Sequence, residues 1–218
     1  MFDWSFVLEI LPILAEAAII TVEATILGFV LAAVLGLVLA LLRMSPRRWI
    51  SWPVAGFVEF IRSTPLLIQI FFLYFVFPEF GIVLPAFAAG VLAIGVHYAT
   101  YCSEVYRAGL ENIPRGQWEA AIALNLGPYR TFRDIIIPQA IPPVVPALGN
   151  YLIALFKETP LLSGIAVLEL MQTAKNIGSE TFRYLEPITM VGAFFLVFSL
   201  ISAVLVRQVE RRLKFRGG

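Results

Sequence analysis

The feature that most constrains this chain is a succession of apolar blocks close to membrane-crossing length: Ala24 to Leu42, Val54 to Phe77, Ile82 to Tyr101, Ala140 to Phe156 and Ile188 to Val206. About 20 apolar residues carry an α-helix across a hydrocarbon layer of about 30 Å. No water is available there, so every peptide group must be hydrogen-bonded internally, as a helix does. We therefore expect an all-α integral membrane protein with five transmembrane helices, over residues 24–42, 54–77, 82–101, 140–156 and 188–206. The 218 residues are read as a single membrane domain, 1–218; their 60% hydrophobic and 14% charged content departs from the roughly quarter-charged make-up of a soluble domain.

The basic residues set the orientation. They gather in three groups: Arg43, Arg47 and Arg48; Arg107, Arg115, Arg130 and Arg133; and Arg207, Arg211, Arg212, Lys214 and Arg216. With five spans, the N-terminus outside and the C-terminus inside, all three groups lie on the cytoplasmic side; four or six spans would divide them. The opening MFDWSFVLEILP is acidic where a cleavable signal peptide is basic, so no cleavage is expected. Glu9, Glu16 and Glu23 share the wet face of an outer amino-terminal helix. Leu161 to Met171 is apolar but too short to cross, and is expected as a re-entrant or outer-leaflet helix. Gly28, Ala32, Gly36 and Ala40 form a small-residue ridge along the first span, where another helix can approach closely.

Several function classes are excluded early. A net charge of +1 does not suit a nucleic-acid surface. His97 and Cys102 are the only residues of their kinds, so neither a disulfide framework nor a metal site built on His and Cys is expected. The chain contains no GxxxxGK[ST] phosphate loop, so energy from a nucleotide would have to come from a partner.

The most informative stretch is ENIPRGQWEAAIALNLGPYRTFRDIIIPQA, Glu111 to Ala140. Asn112 and Pro114 open a short helix through Leu124. Asn125, with Gly127 and Pro128, then forces a turn, and a second amphipathic helix runs to Pro138. This makes a tight cytoplasmic elbow, residues 108–138, whose Trp118, Ala121, Ile122 and Leu124 need a partner to cover them.

Glu119, Ala120 and Ala121, followed by Ile137, Pro138 and Ala140, resemble the EAA loop of binding-protein-dependent ABC importer permeases. The departures are Asn125, where the family usually has Gly, and Ile137, where Leu is common; Asn tolerates a left-handed backbone best after Gly. VEFIRSTPLLIQIFFLYF (58–75) and SEVYRAGLENIPRGQWEAA (103–121) are similar to the polar amino-acid branch of that family. KETPLLSGIAVLELM (157–171) is similar to its Lys-Asp-Thr-Ser-Leu-Leu region, with Glu158 and Pro160 as departures. FDW near the start, the ALNL turn and NIGSETFRYLEP (176–187) resemble permeases for ectoine and hydroxyectoine.

The resemblance implies an ABC type-1 importer transmembrane domain in the bacterial inner membrane, multi-pass. It carries no enzyme activity and no cofactor of its own. ATP and Mg are used by partner ATP-binding subunits, a solute-binding protein delivers solute outside, and a sister permease or second copy completes the path. It also implies that Glu119, Ala120, Ala121, Asn125, Gly127 and Pro138 couple to the ATPase, with Glu119 in a charge-assisted contact to a basic residue there. The solute is a polar amino acid or ectoine.

From the residues alone, Lys157, Glu158 and Thr159 either line the solute path or anchor a helix end. Gln69, polar in an apolar stretch, is a candidate pore-facing hydrogen bonder. Glu59 with Arg62, and Glu104 with Arg107, stand one turn apart and are read as structural ion pairs. His97, with Tyr98 and Tyr101, is read as a hydrogen-bonded packing residue. A secondary transporter or channel remains the alternative, but it would need coupling carboxylates deep in the spans, and Glu59, Glu104 and Glu158 all lie near ends. An integral membrane enzyme has few groups for acid–base work.

Overall fold

The computed structural model describes residues 2–214, with side chains through residue 212; Arg216 of the last basic group lies outside the described residues. The secondary structure of the described residues is helical throughout. Helix α1, Trp4–Arg43, is a single 40-residue helix, so the outer amino-terminal helix and the first apolar block are one element. The Asp3 carboxylate caps it, accepting from the Ser5 and Phe6 N–H groups.

Gly28, Ala32, Gly36 and Ala40 are all buried in α1, and the ridge bears chiefly on α4, Ala86–Glu111. A Cβ placed on Gly36 would lie 2.7 Å from Cys102 Cβ and 2.8 Å from the Ala99 carbonyl oxygen. The two backbones therefore touch there, the close approach that small residues permit between membrane helices.

The block from 54 to 77 is not one straight helix. Helix α2, Arg48–Arg62, and the run beginning with α3, Leu66–Phe71, meet at a bend of 103°. The run continues through a π turn, Phe72–Val76, and a 3₁₀ turn, Phe77–Phe80. Pro65 lacks an N–H and its ring keeps Thr64 out of the helical region, which breaks the ladder despite unbroken hydropathy.

After α4 come α5, Arg115–Ala123, and α6, Pro128–Arg130, which passes through a π turn, Thr131–Ile136, into α7, Ile137–Glu158. The block 140–156 is thus the later part of a longer helical run that begins in the elbow. The stretch 161–171, expected as one helix, is divided. A 3₁₀ segment, Thr159–Ile165, ends at Ala166 in the left-handed region (φ 57°), and α8, Leu170–Thr181, starts afresh. Among the described residues, four helical runs are long and apolar enough to cross a membrane, five if the bent pair is counted as one span.

The restart at α8 is built by a buried carboxylate. Glu169, fully buried, accepts from the N–H groups of Met171 (2.9 Å) and Gln172 (2.8 Å), and Thr21 of α1 accepts from Leu170 N–H at 3.1 Å. Burial pushes the Glu169 carboxyl up to about 7, against the pull of those two N–H groups. Helix α9, Leu185–Lys214, is tied to the start of the chain: Arg183 reaches Glu186 at 2.5 Å and Asp3 at 3.4 Å, and lies over the Phe6 ring.

Candidate functional site

Two places gather groups that the packing alone does not use: the elbow and a small tyrosine-lined pocket. In the elbow, Asn125 adopts the left-handed backbone (φ 54°), while Gly127 is extended (φ −67°, ψ 157°). Asn125 therefore turns the chain where glycine would be usual, since a short polar side chain tolerates that region. Trp118 of α5 meets Phe132 edge-on at 5.3 Å, and Ala121 is buried, so the two arms of the elbow are locked together. That internal contact covers only part of the apolar set. Ile122 and Leu124 are 76% and 71% exposed, and Glu119 and Ala120 are exposed beside them, as is Pro138 at the start of α7. A rigid hairpin with uncovered aliphatic side chains and a free carboxylate is suited to docking against another protein.

The elbow is fastened to the bundle by an ion-pair hub on Glu104. Its carboxylate holds Arg43 from α1, Arg107 at 2.9 Å from α4 itself, and Arg62 at 3.6 Å from α2. Arg107 also pairs with Glu111 at 2.6 Å. The Glu104–Arg107 pair thus exists within a larger cluster, but Arg62 does not pair with Glu59. It turns to Glu104 and lies 5.1 Å over the Tyr101 ring, because helix α4 brings a carboxylate and an aromatic face nearer than its own helix does.

The pocket, about 230 Å³, is lined by His97, Tyr98 and Tyr101 from α4 and Tyr151, Ala154 and Glu158 from α7. Tyr98 and Glu158 both line it, and the Glu158 Oε2 is buried without a hydrogen-bond partner. A buried acceptor left open is costly in a packed protein, so it points to a donor that arrives from elsewhere. Of Lys157, Glu158 and Thr159, only Glu158 reaches this pocket: Lys157 is exposed, and the buried Thr159 hydroxyl donates to the Phe156 carbonyl at 2.8 Å. Tyr151 was not singled out from the sequence, although Tyr151, Ala154 and Glu158 follow the i, i+3, i+7 spacing of one helical face.

Gln69, which lines a separate cavity, is held by the break between α2 and α3. Its amide donates to the Ile61 carbonyl (2.7 Å) and to the Thr64 carbonyl (3.1 Å) and hydroxyl (2.7 Å), groups freed by the break at Pro65. Its carbonyl meets His97 Nδ1 at 3.1 Å. Among the described residues no cluster of three His, Cys, Asp or Glu side chains is placed to hold a metal ion.

Comparisons with known proteins agree with this architecture. Residues 32–215 match the family described as the binding-protein-dependent transport system inner membrane component. The chain is 50% identical over 215 residues to the probable amino-acid ABC transporter permease protein y4tG of Sinorhizobium fredii, covering 99% of this chain and 93% of that one. It is 35% identical to the glutamine transport system permease protein GlnP of Escherichia coli (strain K12), covering 98% of each. The fold superposes with a TM-score of 0.91 on the crystal structure of an amino acid ABC transporter with histidines, at 35% identity, over 97% of this chain and 99% of that chain. The MetNI methionine ABC transporter, at 21% identity and a TM-score of 0.71, shares the fold. The chain therefore belongs to the binding-protein-dependent transport system inner membrane component family: it is a multi-pass permease subunit of an ABC importer rather than an enzyme, and amino-acid permeases are its relatives.

Proposed function

We propose that this permease imports a small polar amino-acid-like zwitterion, that the elbow transmits ATP hydrolysis by a partner subunit to the spans, and that the tyrosine-lined pocket is a station on the solute path. The observation that carries the coupling role is the elbow itself, a braced hairpin with Glu119, Ile122 and Leu124 uncovered at the basic end of the bundle. The partner ATPase covers the aliphatic pair, and one of its basic residues meets Glu119. ATP and Mg act there and not on this chain. The positive-inside pattern supports an inner-membrane orientation with the N-terminus outside and the C-terminus in the cytoplasm. A solute-binding protein serves the outer face, and a second copy or sister permease closes the path.

The solute class is supported by the relatives, which include an L-cystine permease (36% identical) and an arginine permease (34% identical), both of Bacillus subtilis. The pocket chemistry agrees: an open carboxylate oxygen and three phenol rings suit a compact cation-bearing solute. Ectoine carries such a cationic group and is tested alongside the amino acids.

The experiment is uptake of labelled glutamine, arginine, cystine, histidine and ectoine by cells carrying this chain with its partners, with and without Glu119→Arg. The coupling role predicts ATP-dependent uptake that the charge reversal lowers at least tenfold while the permease stays in the membrane. Full uptake by the variant, or uptake without an ATPase subunit, removes the elbow's role and favours a secondary transporter.

A further inference from the structure

The hydrogen bonds around Gln69 settle a question that the pocket leaves open, namely which nitrogen of His97 carries the proton. The two carbonyls of Ile61 and Thr64 accept only, so the atom of Gln69 that faces them must be the amide nitrogen. Thr64 Oγ1 also lies within reach of the Phe60 and Ile61 carbonyls, to which its own hydrogen goes, leaving its oxygen to accept from Gln69. Gln69 Oε1 is thereby turned towards His97 Nδ1, and an oxygen can only accept. The proton of the neutral imidazole then sits on Nδ1, and Nε2 keeps its lone pair. Nε2 has no hydrogen-bond partner among the described residues, and the ring lines the same pocket as the open Oε2 of Glu158.

We propose that Gln69 is a positioning residue for solute recognition: by holding His97 as the Nδ1–H tautomer it makes Nε2 an acceptor, which joins Glu158 Oε2 in receiving the ammonium or amidinium donors of the solute. The inference rests on the pocket being a station on the solute path. A pocket with two acceptors and aromatic walls selects for a group rich in N–H donors, and it discriminates against the same solute without that group, because the buried Glu158 Oε2 is then left unpaired. Specificity at this station therefore begins at the break between α2 and α3, outside the pocket, where the freed carbonyls fix the orientation of one amide.

His97 is the only histidine of the chain, so its nitrogens can be observed without assignment. The first measurement is the ¹⁵N spectrum of the full chain, labelled with [¹⁵N]histidine, prepared without a histidine tag and held in lipid nanodiscs. The expected spectrum has a protonated Nδ1 and an unprotonated Nε2. A protonated Nε2 with bare Nδ1, or an imidazolium, overturns the proposal without recourse to any variant. In Gln69→Leu the tautomer is expected to shift towards Nε2–H. The half-saturating solute concentration for uptake is expected to rise about tenfold, with a smaller change in maximal rate, using whichever labelled solute of the panel the wild-type transporter accepts. A variant that keeps the wild-type tautomer or the wild-type half-saturation also overturns it. Glu158→Gln separates the two readings: if it leaves half-saturation unchanged while the Nδ1–H tautomer is present, the pocket is off the solute path and the positioning role falls with it, although the Gln69–His97 geometry stands.

Discussion

Replacing Gly36 with alanine tests the α1–α4 seam at its tightest point, and Gly28 on the same ridge supplies the control. A Cβ at Gly28 would meet its nearest atom, Ile94 Cγ2, at 3.4 Å, an ordinary contact, whereas at Gly36 it would meet Cys102 Cβ at 2.7 Å and the Ala99 carbonyl at 2.8 Å. A backbone carbonyl inside a helix cannot rotate aside. Restoring the Gly28 spacing at Gly36 requires the helices to part by about 0.7 Å. A gap of roughly 0.5–1 Å forfeits a quarter to a half of each dispersion well along the contact, and overpacking of this kind costs about 1–3 kcal/mol. Alanine returns up to about 1 kcal/mol of helix propensity at either site. Gly28→Ala is therefore expected to be neutral or slightly stabilising, and Gly36→Ala to lose about 1–2 kcal/mol net. Reversible unfolding in mixed micelles, followed by tryptophan fluorescence, measures both. Alkylation of Cys102 gives a second readout, because this single, fully buried thiol sits against Gly36 and should react several-fold faster only in Gly36→Ala. Equal stability of the two variants, with Cys102 no more reactive in either, would refute the idea that backbone contact at Gly36 sets the helix separation.

The same unfolding assay addresses two further groups. Glu104→Ala leaves the guanidinium groups of Arg43, Arg62 and Arg107 facing one another without their shared carboxylate and is expected to lose about 1–2 kcal/mol; Glu111→Ala, which touches Arg107 alone and is half exposed, should lose less than about 0.5 kcal/mol, and equal losses would deny Glu104 the role of hub. Glu169 is raised in the folded protein from the ordinary 4.5 to about 7 by burial, so the fold keeps a proton that the unfolded chain has shed: its contribution makes stability fall as pH rises from about 4.5 to 7 and level off above. Glu169→Gln should flatten that slope, and a wild-type curve rising across the same window would contradict the assignment.

The apolar blocks made the helical class readable because a membrane span needs length and composition more than detail. The ridge at Gly28, Ala32, Gly36 and Ala40 was also readable, since small residues four apart must share a face. The break at Pro65 was less visible. Hydropathy continues through it, and only the proline and its effect on Thr64 announce the bend of 103°. Partnerships across helices were not legible at all. Nothing near Arg62 in the chain names Glu104, and nothing near Glu158 places it in one pocket with His97, because both depend on how α4 lies against its neighbours. The partners of Gln69 were hidden for a related reason: a polar residue in an apolar stretch implies a hydrogen-bonding partner nearby, and the backbone carbonyls that its amide meets are released by a break the hydropathy does not show.

Helix α4 has one further consequence, which is mechanical. It runs from Ala86 to Glu111 without a proline or a break, unlike the run that precedes it, and behaves as one rod about 39 Å long. His97 and Tyr98 sit on it about 20 Å from its inner end, where only Asn112 to Pro114 separate it from α5 of the elbow. Ala99 and Cys102, pressed against Gly36, lie between the two. That contact acts as a fulcrum. A tilt of about 5° over the roughly 16 Å from that contact to the inner end displaces the elbow end by about 1.4 Å, and the same tilt carries His97 and Tyr98, on the far side of the contact, in the opposite sense. Motion at one end of this lever reaches the other without any helix having to melt.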